Sequence, residues 1–274
     1  MNDVTGQTLV TISGGGMAQI ENAIGILRAI RDKRGDKFDM MYGTSAGAIV
    51  SAAYMSCDQD IVPVEEVVRN TDPEKWFKIH PIQAIKSVFH LSNYIADNTG
   101  FKNYLVDMIT PEAIKKVRVA VTEMPDGRVG RSLMLDGRPS HVLASMSFQK
   151  IFPPVVWDGI QHGDGGINNL CPLPKYMDIA RYKHIYVILA APSPIMPTIK
   201  KWKFLDELFE IIDRTMDREL AQIKEFALDE APNVTVIQPP SFDPSASLLK
   251  WSDGFKQIDL SYEYACSVLD NERK

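Results

Sequence analysis

Three consecutive glycines, Gly14, Gly15 and Gly16, separate an apolar, β-branched run from an apolar helical pattern. The run at 8–13 predicts a buried strand, and residues 17–33 repeat apolar side chains at the spacing of one helical face. A glycine weakens a regular element by roughly 0.5–1 kcal/mol relative to alanine. Three in a row therefore predict a special backbone shape, or the close approach of a ligand, between a strand and a helix.

The alternation of strands and helices continues along the chain. A strand is predicted at 38–43 and a helix of mostly small residues at 46–56. The later predicted elements are helices at 74–92, 202–228 and 257–269, a hairpin at 116–135 that turns at Asp126-Gly127, and strands at 184–190 and 233–240. Apolar strands that alternate with helices indicate an α/β fold with a mostly parallel central sheet.

Composition is that of an ordinary soluble protein. The 274 residues suffice for one large domain with a sizeable core, and the net charge of −5 argues against a nucleic-acid partner. The polar N-terminus shows no secretory signal, and no run reaches the ~18 apolar residues of a membrane span, so a cytoplasmic location is expected. Three scattered cysteines, Cys57, Cys171 and Cys266, fit neither a disulfide framework nor a zinc cluster and are expected to be reduced.

A second glycine motif follows the strand at 38–43. Gly43, Ser45 and Gly47 match the G-x-S-x-G pattern, in which a nucleophilic serine occupies a sharp turn from a strand to a helix. The flanking glycines are needed there because the strand and the helix crowd together. The alternative is a glycine-rich helix start that Ser45 caps.

The two motifs are expected to meet at one edge of the sheet. In a right-handed βαβ unit the strands are parallel, so the glycine loop and Ser45 both follow carboxyl ends of strands. The N–H groups of Gly14, Gly15 and Gly16 could then form an oxyanion hole for the atom that Ser45 attacks. A plain tight turn is one alternative. A nucleotide-binding loop is another, but the dinucleotide fingerprint needs a glycine where this chain has Gln19.

A serine nucleophile needs a base, and none of the five histidines lies in a recognisable motif. The candidate carboxylate is Asp164, which Gly165 and Gly166 follow. Asp-Gly pairs are also common turn sequences and occur five times in this chain, so a simple turn is the alternative.

Together, these segments resemble the patatin-like phospholipase family. The segments that carry the resemblance are SGGG with GILRAI, YGTSAGAIVSA, VAVTEMPDGR and QHGDGG. The resemblance covers residues 7–178 well and 200–270 more loosely. It implies a three-layer patatin-like fold in a single domain over 1–274, with a C-terminal helix–strand–helix packed on the catalytic core.

The resemblance also implies a function. Ser45 would be the nucleophile and Asp164 the general base of a dyad that hydrolyses fatty-acyl esters of glycerolipids or phospholipids, without metal or cofactor, in the manner of a phospholipase A or lysophospholipase. The family usually has a basic residue and a glycine where this chain has Ala18 and Gln19. The alternative function is therefore a catalytically silent binding or regulatory module.

The expected substrate is a lipid or lysolipid, which raises the question of membrane contact. Residues 73–95 and 200–212 mix aromatic side chains with lysines, a composition that suits a membrane interface. Either stretch could serve as a lid or docking face. The alternative is an ordinary helix with one face in the core.

Overall fold

A mixed β-sheet lies at the centre of the structure, a computed structural model that describes residues 5–72, 78–79, 94, 96–149, 151–174, 176–191, 233–246 and 250–271. Its strands are β1 (Thr8–Ile12), β2 (Met40–Gly43), β3 (Lys78–Ile79), β4 (Ala96–Asp97), β5 (Val117–Met124), β6 (Ser132–Asp136), β7 (Val155–Trp157), β8 (Ile160–Asp164), β9 (His184–Ile188) and β10 (Val234–Ile237). The main sheet has the order β10-β9-β1-β2-β5-β8-β7, and β6 also pairs with β5. From β10 to β5 the strands are parallel, whereas β6, β7 and β8 pair antiparallel. The strands β3 and β4 form a separate antiparallel pair.

Helices connect and cover these strands. They are α1 (Gly16–Arg34), α2 (Ala46–Ser56), α3 (Ile61–Asn70), α4 (Thr99–Met108), α5 (Pro111–Lys116), α6 (Pro139–Ser145), α7 (Tyr176–Ile179) and α8 (Lys256–Asn271). The helix α1 ends at Gly35, whose left-handed backbone lets its N–H bond to the carbonyl of Arg31. None of the described helices is long and apolar enough to cross a membrane.

Both faces of the sheet are buried. On β9, Tyr186 and Ile188 belong to the apolar cluster that contains α1 and α2. Ile185 and Val187 point the other way, into a second cluster with Tyr182. This alternation follows from the two-residue period of a strand. The predicted α/β fold, with a mostly parallel central sheet flanked by helices, is confirmed.

The C-terminal helix α8 packs closely against α1. A Cβ atom on Gly25 would lie only 2.2 Å from the carbonyl oxygen of Ile258, so a larger residue at position 25 would push the two helices apart. The Arg28 guanidinium pairs with Asp259 at 2.9 Å and lies over the ring of Tyr262, 4.3 Å from its centroid. The helix that begins in the glycine loop therefore has α8 as a fixed neighbour.

Most of the predicted elements are confirmed. The elements β1, α1, β2, α2, β5, β6, β9, β10 and α8 form where the sequence predicts them. The helix predicted at 74–92 is wrong at 78–79, which form β3, and the rest of that range lies outside the described residues. The predicted helix at 202–228, the stretch 200–212 and nearly all of 73–95 also lie outside them.

The strand β5 brings the ends of β2 and β8 together. Residues 118–122 of β5 pair with β6, which occupies one edge of β5. The strand β2 pairs with 117–119 and β8 pairs with 121–124, so both must use the other edge. There β2 ends at Gly43 and the antiparallel β8 ends at Asp164, so the two strands meet end to end.

Candidate active site

Ser45 occupies a strained turn between β2 and α2. Its backbone has φ 52° and ψ −117°, a conformation that a non-glycine residue adopts at a cost of about 1–3 kcal/mol when its surroundings impose it. Its side chain makes no capping hydrogen bond to α2, and the residue is partly exposed. The turn therefore has the geometry of a nucleophile elbow, and the alternative of a serine-capped helix start is not supported.

The two flanking glycines are required by the crowding of backbone around this turn. A Cβ atom on Gly43 would lie 2.4 Å from the carbonyl oxygen of Gly47. A Cβ atom on Gly47 would lie 2.2 Å from the carbonyl oxygen of Ile12, in the neighbouring strand. Since these neighbours are backbone atoms, a side chain at either position would force the strand and the helix apart.

Asp164 lies at the end of β8 with only 3% of its surface exposed. Its Oδ1 accepts a hydrogen bond from the N–H of Gly166 at 2.7 Å, and the Ser45 side chain is near enough to lower the pKa of its carboxyl. The structure thus brings together two predicted site residues that are far apart in the sequence.

Burial changes the acid–base behaviour of this carboxyl. Desolvation raises the pKa of Asp164 from 3.8 to about 7, and the hydrogen bond from Gly166 and the nearby Ser45 side chain oppose that rise. An ordinary aspartate is too weak a base to activate a hydroxyl at neutral pH, and a base works best when its pKa lies near the working pH. Asp164 therefore has the pKa that a general base needs.

Close packing explains why two glycines follow Asp164. A Cβ atom on Gly165 would lie 2.2 Å from the carbonyl oxygen of Ala120 in β5. A Cβ atom on Gly166 would lie 3.1 Å from Asp164 Oδ1 and 3.0 Å from the Leu170 side chain. The two glycines are thus needed because β8 and the residues after it lie close to β5, and the Asp-Gly-Gly sequence is not a free surface turn.

The glycine loop lies against the elbow. A Cβ atom on Gly14 would come within 3.4 Å of the Ser45 Cβ, but the Gly14 N–H donates to the carbonyl of Leu170 at 2.9 Å. Gly15 and Gly16 are partly exposed and have φ values of 151° and 67°. Within the described residues, their N–H groups donate to no carbonyl. Of the three predicted oxyanion donors, Gly14 is thus bonded elsewhere, whereas Gly15 and Gly16 have no carbonyl partner among the described residues.

The three histidines in the described residues make other contacts. Those at 141, 162 and 184 contact Asp136, Ile160 and Thr235 respectively. The other two lie outside the described residues. The described residues also contain no group of three or more His, Cys, Asp or Glu side chains that could hold a metal ion.

Two serines that hold the site in place were missed by sequence reasoning. The Ser145 hydroxyl accepts the backbone N–H of Ser45 at 2.9 Å. The carbonyl of Ser147 accepts the backbone N–H of Asp164 at 3.0 Å. Both lie in the segment ASMSF, where polar residues in an otherwise buried stretch could have signalled a structural role.

Comparison with known proteins identifies a family. The family model described as patatin-like phospholipase matches residues 10–175, which is more than half of the chain. The match contains both glycine motifs and Asp164. No curated protein sequence matches the chain significantly.

Solved structures share the fold. VipD from Legionella pneumophila is similar with a TM-score of 0.54 and 14% identity, over 99% of this chain and 67% of that one. The type III effector protein ExoU is similar with a TM-score of 0.45 and 11% identity, over 97% of this chain and 53% of that one. The chain therefore spans about two thirds of VipD and about half of ExoU, and the likeness to VipD supports the fold alone.

Proposed function

The chain belongs to the patatin-like phospholipase family, and we propose that it hydrolyses fatty-acyl esters of glycerolipids or phospholipids with Ser45 as nucleophile and Asp164 as general base. Membership of the family supports lipid hydrolase activity in general. The observation that carries the finer proposal is the position of Ser45, held in a strained elbow, beside a buried carboxyl whose pKa is raised to about 7. A phospholipase A or lysophospholipase is the proposed type.

In the first half of the reaction, the Ser45 Oγ attacks the ester carbonyl carbon while Asp164 takes the hydroxyl proton. The new C–O bond forms as the carbonyl π pair moves onto the carbonyl oxygen. The N–H groups of Gly15 and Gly16 would stabilise that oxyanion, and the N-terminal end of α1 adds partial positive charge. The bond to the alcohol then breaks, and Asp164 gives its proton to the departing oxygen.

In the second half, water attacks the acyl group on Ser45. Asp164 is again the base that removes the proton from the attacking water. When the acyl bond to Ser45 breaks, the proton on Asp164 passes to the serine oxygen, and the fatty acid leaves. The carboxyl thus starts and ends the cycle ionised, which is consistent with a pKa near neutral pH.

The test is hydrolysis of a short-chain p-nitrophenyl ester and of mixed phospholipid vesicles by the wild type, Ser45→Ala and Asp164→Asn. Each substitution should lower kcat by at least roughly 1,000-fold, as is typical when a member of a catalytic unit is removed. Ser51→Ala, on the same helix, and Asp158→Asn, at an exposed turn, are the matched controls and should retain activity.

Other outcomes have distinct meanings. Full activity in Ser45→Ala would refute the mechanism. A folded wild type that hydrolyses neither substrate would favour the silent module, which the replacement of the family's usual residues by Ala18 and Gln19 suggests.

A further inference from the structure

A chain of buried polar side chains connects the glycine loop with α8. Its members are Ser13, Gln19, Asn22, Gln257 and Ser261, each at most 2% exposed. Gln257 donates to Ser261 at 2.7 Å, Ser261 donates to Asn22 at 2.8 Å, and Asn22 donates to Gln19 at 2.7 Å. Such a network is rigid when every member is satisfied, because an unpaired polar group in the core is costly.

At the loop end, Gln19 holds Ser13. Its amide nitrogen donates to Ser13 Oγ at 3.3 Å. The same oxygen accepts the N–H of Ala190 at 2.8 Å and donates its proton to the carbonyl of Gly14 at 3.1 Å. Both lone pairs and the proton of this hydroxyl are therefore used, which fixes its rotamer and the peptide that it touches.

The stem of Gln19 also packs under the loop. A Cβ atom built on Gly15 would lie 2.8 Å from the Cβ of Gln19 and 3.3 Å from its Cγ. One side chain thus supports the loop at Gly15 and, through Ser13, at Gly14. The orientation of its amide is in turn set by Asn22, which also donates to the carbonyl of Leu189 at 3.0 Å.

We propose that Gln19 is a positioning residue, which holds the N–H groups of Gly15 and Gly16 in the direction that an oxyanion requires. The inference rests on the proposed function, and it gives a role to a residue that departs from the family pattern. Gln19 acts through Ser13 and the loop backbone, and it does not touch the substrate. Oxyanion donors are effective only when they are fixed before the charge develops, so loosening the loop should act on the transition state.

The variant that tests this role is Gln19→Met, which keeps the length of the stem under Gly15 and removes both amide hydrogen bonds. Ser267→Ala is the control, because Ser267 lies on the exposed side of α8 and its hydroxyl donates to the carbonyl of Tyr264, outside this network. For a short-chain p-nitrophenyl ester, Gln19→Met should lower kcat roughly 10- to 100-fold with little change in KM, as for a displacement of catalytic groups by about 1 Å. Ser267→Ala should stay within about 2-fold of the wild type.

A second substrate separates positioning from general damage to the fold. A thionoester, with sulfur in place of the carbonyl oxygen, makes poorer use of an oxyanion hole. The preference of the wild type for the oxygen ester over the thionoester should therefore fall in Gln19→Met and persist in Ser267→Ala. If Gln19→Met lost activity on the oxygen ester and on the thionoester by the same factor, the positioning role would be refuted.

Amide hydrogen exchange of residues 13–17 tests the loop without a substrate. Exchange of the Ser13 and Gly14 amides, which are bonded to the carbonyls of Ile188 and Leu170, should accelerate in Gln19→Met and not in Ser267→Ala. Unchanged exchange would refute the inference even if the activity fell. If the wild type hydrolysed no ester, the proposed function and the role of Gln19 in catalysis would both fail. Faster amide exchange in Gln19→Met would then show only that Gln19 supports the loop.

Discussion

Replacing Asp164 with Asn should stabilise the fold at alkaline pH while it abolishes activity. The pKa of this carboxyl is raised by burial from 3.8 to about 7, so the folded state binds its proton more tightly than the unfolded state does. The fold is most stable at low pH, where this carboxyl is protonated in both the folded and the unfolded state. Its stability declines as the pH rises from the pKa of the unfolded state to that of the folded state. Above pH 7 the fold holds an unfavourable buried charge.

The expected magnitude follows from the size of the shift. Each pKa unit corresponds to about 1.4 kcal/mol, so the buried charge costs about 4 kcal/mol at pH 8 and only about 1.5 kcal/mol at pH 5. Asparagine has nearly the same shape, its carbonyl oxygen can accept the N–H of Gly166, and it carries no charge. The free energy of unfolding of Asp164→Asn, relative to the wild type, should therefore rise by about 2–3 kcal/mol from pH 5 to pH 8.

Urea unfolding of both proteins at pH 5, 6, 7 and 8 measures this difference. Asp158→Asn is the control, because Asp158 is an exposed aspartate at another Asp-Gly turn. A difference between wild type and Asp164→Asn that stays constant from pH 5 to pH 8 would refute the raised pKa. The proposed base would then lack its physical support.

Three further predictions follow from the site. The kcat/KM for a p-nitrophenyl ester should increase with pH through about 7 as Asp164 ionises, and a profile that is flat from pH 5 to 8 would exclude this carboxyl as the base. Gly47→Ala should destabilise the fold by more than about 3 kcal/mol in urea unfolding, because its Cβ would lie 2.2 Å from a backbone oxygen, and a cost below about 1 kcal/mol would contradict that contact. Ser145→Ala leaves the Ser45 N–H without its acceptor and should cost about 1–3 kcal/mol, whereas Ser267→Ala, on the exposed side of α8, should change stability by less than about 0.5 kcal/mol.

Local patterns predict the parts of the site that depend on neighbouring residues in the sequence. The glycine run between β1 and α1, and the elbow between β2 and α2, lie where the periodicity changes from strand to helix. The requirement for small residues at 43 and 47 also follows from a strand and a helix that meet at a tight turn, and the contacts of both glycines confirm it. For the same reason, nine of the described strands and helices could be predicted from local patterns.

Contacts between distant segments could not be predicted in this way. The Gly14 N–H is bonded to the carbonyl of Leu170, and no feature near residue 14 signals that partner. Likewise, the amide of Gln19 belongs to a network that ends at α8. A residue that departs from the glycine motif is thus hydrogen-bonded at both the nitrogen and the oxygen of its amide. The helix predicted at 74–92 is wrong at 78–79 because these residues pair with β4, a separate segment that the local pattern does not indicate.

The register of β5 explains why Ser45 and Asp164, from distant segments, lie close together. Because β2 and β8 end head to head on the same edge of β5, the separation of Ser45 and Asp164 is set by the spacing of residues along that one strand. The close contact of Gly165 with the carbonyl of Ala120 locks β8 at this register, and that of Gly47 with Ile12 locks the elbow. These contacts are between backbone atoms, so rotamer changes cannot relax them. The relative position of Ser45 and Asp164 is therefore a property of strand pairing.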